Sequence, residues 1–167
     1  MTNHKKIHRI VKIAVIIILV IMAFFAGKYV VKAISINQYK PNVYYMTSDS
    51  MEHNLPFEGW WITQEKEFAN YKIDKFAFRK FPWGYGINKG EYVVIAKMNK
   101  SDVEVGDVVM FKPSDTEIPW ISRIVQVYTI DGQTYFDAKS DHNQKPTQNE
   151  FRIPIDNIIG DVDKIIR

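Results

Sequence analysis

The sequence predicts a mainly β domain carried behind one N-terminal transmembrane helix. Three observations lead there. Residues 13–27 form an apolar run without a single charge. Beyond residue 90, apolar and polar residues alternate over short stretches separated by Gly-Asp and Asp-Gly pairs, the period-2 signature of strands and their turns. No stretch after the apolar run carries a convincing long helical period.

Bulk properties narrow the function classes. The chain has 167 residues, 46% apolar and 25% charged, ordinary for one globular domain with an appendage. Its net charge of +3 is spread without a basic stripe, which argues against nucleic acid as a partner. Cysteine is absent, so there is no disulfide framework, thiol nucleophile or cysteine-ligated metal. His53 and His142 lack the paired spacing of metal ligands, and no glycine-rich phosphate loop is present. Neither metal nor cofactor is expected.

Residues 1–12 are basic, with Lys5, Lys6, Arg9 and Lys12. The apolar run that follows is short for a span, but continuing past Lys28 through Tyr29-Val30-Val31 brings it to the ~20 residues a bilayer needs. The expected anchor covers 13–34. A cleaved signal peptide is the rival reading; resumption of apolar residues beyond Lys28 favours a retained anchor. Four basic residues precede the run, and Lys28, Lys32 and Lys40 follow it. That bias puts the N-terminus in the cytoplasm and residues 41–167 outside the cell membrane, as a single-pass protein.

Pro41 ends the helix, and Val43-Tyr44-Tyr45-Met46 reads as a short strand leading into Thr47-Ser48-Asp49-Ser50-Met51-Glu52-His53. Residues 54–88 are dense in aromatics, from Phe57, Trp60 and Trp61 to Trp83 and Tyr85, interleaved with lysines and Arg79. They read either as a hydrophobic mini-core or as a surface for membrane lipid headgroups; no period there is clean enough to choose. Strands follow over 91–97, 107–112 and 120–129, and Asp131-Gly132 turns a hairpin into 134–139. A polar loop, 140–149, precedes a last apolar stretch over 158–166.

Taken together these pieces resemble the membrane-bound type I signal peptidases, the archaeal and endoplasmic-reticulum branch most closely. The likeness runs from the anchor to the C-terminus, with 54–88 as an insertion. Ser48-Asp49-Ser50-Met51 resembles the nucleophile box. Lys89-Gly90-Glu91 and Gly106-Asp107-Val108-Val109 resemble the two strand openers. Ser122-Arg123-Ile124-Val125 matches the box that carries the general base, and Lys139-Ser140-Asp141-His142-Asn143 the box with the assisting Asp.

The resemblance implies a signal-peptidase-like β-fold and a serine endopeptidase that removes signal peptides from exported preproteins. Partners would be those preproteins, membrane lipid and the protein-export channel. By the same carry-over Ser50 is the nucleophile, the Ser48 hydroxyl faces the oxyanion, and Asp141 orients the base. Arg123 reads as a structural ion-pair partner, and Met51 as packing beneath the turn. One departure stands out. Where the family has His or Lys before Arg, this chain has Ser122, and a neutral hydroxyl is far too weak a base to deprotonate Ser50 unaided. His142, in the loop expected to approach the nucleophile, is the better substitute base, ahead of His53. The alternatives are a non-catalytic relative that binds preproteins or acts as a scaffold, and a tethered surface-binding module led by the aromatic region.

Overall fold

The computed structural model describes residues 2–167, without the side chains of residues 2–7, 9 and 10. Met1 and the basic side chains Lys5, Lys6 and Arg9 therefore lie outside the described residues. The chain divides into two compact units, 1–40 and 41–167.

The first unit is one helix, α1 (Thr2–Tyr39). Its Val11–Tyr39 portion is long and apolar enough to cross a membrane. At about 1.5 Å per residue those 29 residues exceed the ~30 Å of a hydrocarbon core. Lys28 does not interrupt the helix, and its ammonium lies 5.0 Å from the Phe24 ring centroid, one turn back along the same face.

The second unit is a mainly antiparallel β half-barrel. Its strands are β1 (Val43–Tyr45), β2 (Tyr92–Ala96), β3 (Val108–Phe111), β4 (Trp120–Ile130), β5 (Gln133–Lys139), β6 (Ile153–Pro154) and β7 (Ile158–Ile166). They form one sheet in the order β1-β2-β7-β3-β4-β5-β6. The β4–β5 hairpin closes through Asp131 and Gly132, both with positive φ, as an Asp-Gly type I′ turn requires.

The apolar run of β3 is explained by burial on both faces. Val108 and Met110 enter one core with Met46, Met51, Ile87, Val93, Ile95 and Val162. Val109 and Phe111 enter a second with Ile124, Phe136 and Ala138. Met51 is fully buried in the first core, beneath the serine turn.

Residues 54–88 correct the expectation that no long helix follows the anchor. They hold α2 (Phe57–Asn70) and the short α3 (Lys75–Phe78), the latter capped by the Asp74 carboxylate accepting from Ala77 N–H at 2.7 Å. The buried residues of α2 are Phe57, Trp60, Trp61, Gln64 and Phe68, spaced as one helical face. That face was obscured by a polar residue inside it and by Ile62 on the far side. Gln64 is 3% exposed and Ile62 75%, the reverse of their hydropathies. The aromatic side chains form a third core that reaches the sheet through Val125. Val125 falls at a register shift between β4 and β5; the bulge there frees one residue from the ladder's alternation.

Candidate active site

The serine turn is fixed by main-chain bonds on both sides. Met46 N–H donates to Glu91 O, Gly90 N–H to Met46 O, and Ile87 N–H to Met51 O. Between these anchors Glu52 N–H closes a turn on Asp49 O, with the buried Met51 side chain as its foot. Ser48 Oγ and Ser50 Oγ lie 3.0 Å apart, in hydrogen-bond contact. The loop after β5 reaches the same turn, because His142 N–H donates to Ser50 O at 2.9 Å.

Ser48 and Ser50 both line a cleft of about 520 Å³. One side is the segment Tyr44–Ser48, the other the segment Ile118–Ser122, with Met110 and Ser140 also in its lining. The cleft therefore brings Ser122 together with Ser48 and Ser50, more than 70 residues earlier in the sequence. Among the described residues its lining includes no histidine, lysine or carboxylate.

Ser122 is 1% exposed, and its hydroxyl donates to Glu150 Oε1 at 2.8 Å. Ser140 donates to the same oxygen at 2.8 Å. Glu150 Oε2 accepts from Thr147 N–H and Oγ–H. Glu150 is wholly buried, and four donors satisfy it there. Sequence reasoning missed this residue. Thr147-x-x-Glu150 is a capping-box pattern, realised here, and it offered the one available signal.

Asp141 lies elsewhere than beside Ser122. Both of its oxygens are engaged by Arg123, from Nε at 2.9 Å and Nη2 at 2.8 Å, and Oδ2 also meets His53 Nε2 at 3.0 Å. Arg123 spends its remaining donors on the carbonyls of Pro82, Trp83 and Gly106. Burial alone would raise the Asp141 carboxyl, but the Arg123 guanidinium and the His53 and Arg123 hydrogen bonds outweigh it and hold the group at about 2. The pair joins β4 to the loop after β5 at the base of the site.

The two histidines differ sharply. The His53 ring stacks on Trp60 at 3.6 Å and 10°, its side chain is 3% exposed, and Nδ1 is buried without a hydrogen-bond partner. It is packed into the aromatic core and does not line the cleft. The His142 ring is 29% exposed and has Nε2 3.9 Å from Asp49 Oδ2; it too is outside the cleft lining. The structure thus joins His142 to Ser50 through the main chain.

Three further residues hold the 140–143 loop. Lys139 is fully buried over the Phe68 ring, and its ammonium donates to Gln64 Oε1, Ser140 O and Asn143 O at 2.6–2.9 Å. Burial lowers its pKa to about 8, against the pull of Asp141 and Glu150. Gln64 then donates to His142 O, and Trp60 Nε1–H to Asp141 O. The aromatic segment 54–88 is therefore a brace of the loop. Among the described residues no cluster of His, Cys, Asp and Glu could hold a metal ion.

No protein-family model matches the chain, and no curated protein matches it.

Proposed function

We propose that this chain is a membrane-tethered serine endopeptidase of the signal-peptidase type, with Ser50 as nucleophile. The observation that carries the reading is the meeting of Ser48, Ser50 and Ser122 in one cleft, since the three arrive from two distant boxes of the resemblance. Extended segments on both sides of the cleft suit an extended polypeptide, held by main-chain pairing as in strand addition. Ser50 attacks the scissile carbonyl. The Ser48 hydroxyl, already 3.0 Å from Ser50 Oγ, donates to the oxygen on which charge then develops.

The apolar α1 supports single-pass membrane attachment. The basic residues before it give the proposed orientation, N-terminus in the cytoplasm and residues 41–167 outside the cell membrane. Substrates are then preproteins delivered at the export channel.

Cleavage of a preprotein by the full chain in liposomes tests the reading. Ser50→Ala is expected to abolish processing, and Ser48→Ala to slow it by about 10²–10³. A wild-type protein that leaves preproteins intact, with no gain on Ser122→His, rules the peptidase out. One observation favours a second reading, a non-catalytic preprotein-binding subunit: no imidazole, amine or carboxylate lines the cleft among the described residues. That subunit would retain signal peptides in a pull-down and turn none over.

A further inference from the structure

The peptidase reading leaves the proton on Ser50 without an acceptor, and the geometry points to one. We propose that Ser122 is a hydroxyl relay: it takes the Ser50 proton while passing its own to the buried carboxylate of Glu150. The inference rests on the peptidase reading and adds the base that reading lacks.

Three features carry it. First, Ser122 lines the same cleft as Ser48 and Ser50, and its hydroxyl meets Glu150. Second, a hydroxyl has one proton and two acceptor lone pairs. The Ser122 proton is committed to Glu150 Oε1 at 2.8 Å, so its lone pairs are left for a donor from the cleft. Third, Glu150 has no solvent exposure, so its contact with the cleft-lining residues runs through hydroxyls, those of Ser122 and Ser140 on Oε1 and that of Thr147 on Oε2. The charge of Glu150 acts on Lys139 at the end of β5 and on Tyr71 just after α2, raising the pKa of each.

In the free protein Ser50 Oγ is paired with Ser48 Oγ. Substrate entry breaks that pair and gives each partner its role. Ser48 turns to the carbonyl oxygen, and Ser50 donates to Ser122 directly or through one water. As the Ser50 oxygen forms its bond to the carbonyl carbon, its proton moves to Ser122 and the Ser122 proton moves to Glu150, which becomes neutral. Collapse of the tetrahedral intermediate breaks the C–N bond, and the proton returns from Glu150 through Ser122 to the leaving amine. Water then repeats the sequence on the acyl-enzyme, releasing the acid and restoring Ser50.

The test measures kcat/KM and its pH profile on a preprotein, using the full chain in detergent, for wild type, Ser122→Ala, Glu150→Gln, the double variant and Ser122→His. Thermal unfolding of each variant checks that it is folded. Ser122→Ala and Glu150→Gln are each expected to lower kcat at least ~100-fold with KM little changed. The double variant is expected to be no slower than the worse single, because the two act as one unit. Ser122→His should move the acidic limb of the profile upward, to the ordinary imidazole value near ~6.5.

A folded Ser122→Ala that cleaves at the wild-type rate overturns the relay, and it decides the matter even if Glu150→Gln fails to fold. Losses that multiply in the double variant overturn it too. A silent wild type rescued by Ser122→His also sinks the relay while keeping the peptidase scaffold. Silence from every variant, wild type included, sinks the peptidase reading itself.

Discussion

At the scale of single residues, the site rests on buried charge that is fully paired. Arg123 and Asp141 have no solvent exposure, and desolvating two ions is costly unless every donor and lone pair is used. Here five carboxylate and carbonyl acceptors surround the guanidinium. Asp141→Asn therefore strands a buried cation, and a loss of about 3–5 kcal/mol is expected in denaturant titration. The same pair predicts an acid limb of stability. The native carboxyl titrates at about 2 against an ordinary 3.8, so the unfolded chain binds more protons between those values. Its contribution is present above pH ~4 and is lost as pH falls through 2. Unfolding of Asp141→Asn should be flatter than wild type across that window. Gly106 belongs to the same arrangement: its φ is +106°, and a Cβ would stand 2.3 Å from the Phe81 ring. Its carbonyl accepts from Arg123. Gly106→Ala is expected to cost about 2–4 kcal/mol, read as a lowered unfolding midpoint.

At the scale of elements, the N-terminal helix and the strands were legible, and the helices within residues 54–88 were not. Alternation in 91–97, 107–112, 120–129 and 134–139, with the Asp131-Gly132 turn, marks β2 to β5 within a residue or so of where they lie. The two-residue β6 is too short to carry a period, and Pro154 within it argues for an edge, where it sits. Helix α2 escaped because Gln64 occupies a core position. Only the folded structure shows why: its amide joins Lys139 to His142 O. The serine turn and the strand bearing Ser122 were legible as boxes, whereas the bonds between them were not. The resemblance makes Asp141 the partner of the base position at Ser122, yet Arg123 takes the first and Glu150 the second. Long-range hydrogen bonds leave no period in a sequence. The brace is testable at this scale. Trp60→Phe keeps an aromatic ring against His53 but removes the bond to Asp141 O. A loss of about 1 kcal/mol is expected, with faster amide exchange in residues 140–143 than in β2.

At the scale of the whole molecule, the division at residue 40 separates two physical problems. Residues 41–167 contain all three cores, and a domain of that size buries enough apolar surface to fold alone. The helix is apolar around its circumference, and its long apolar stretch within Val11–Tyr39 has no residue buried against the rest of the structure. A bilayer is the solvent in which a helix this long and apolar could be accommodated. A fragment of residues 41–167 is expected to unfold cooperatively within a few degrees of the full chain. If α1 acts as a tether, the fragment should process a soluble peptide at the full chain's rate. On preprotein held in liposomes it should be slower by about 10²-fold, because attachment to the same surface supplies an effective concentration that diffusion does not. An unrelated transmembrane helix fused before Pro41 should restore that rate. Failure to restore it would assign α1 contacts of its own with substrate or channel, since span length alone would then be insufficient.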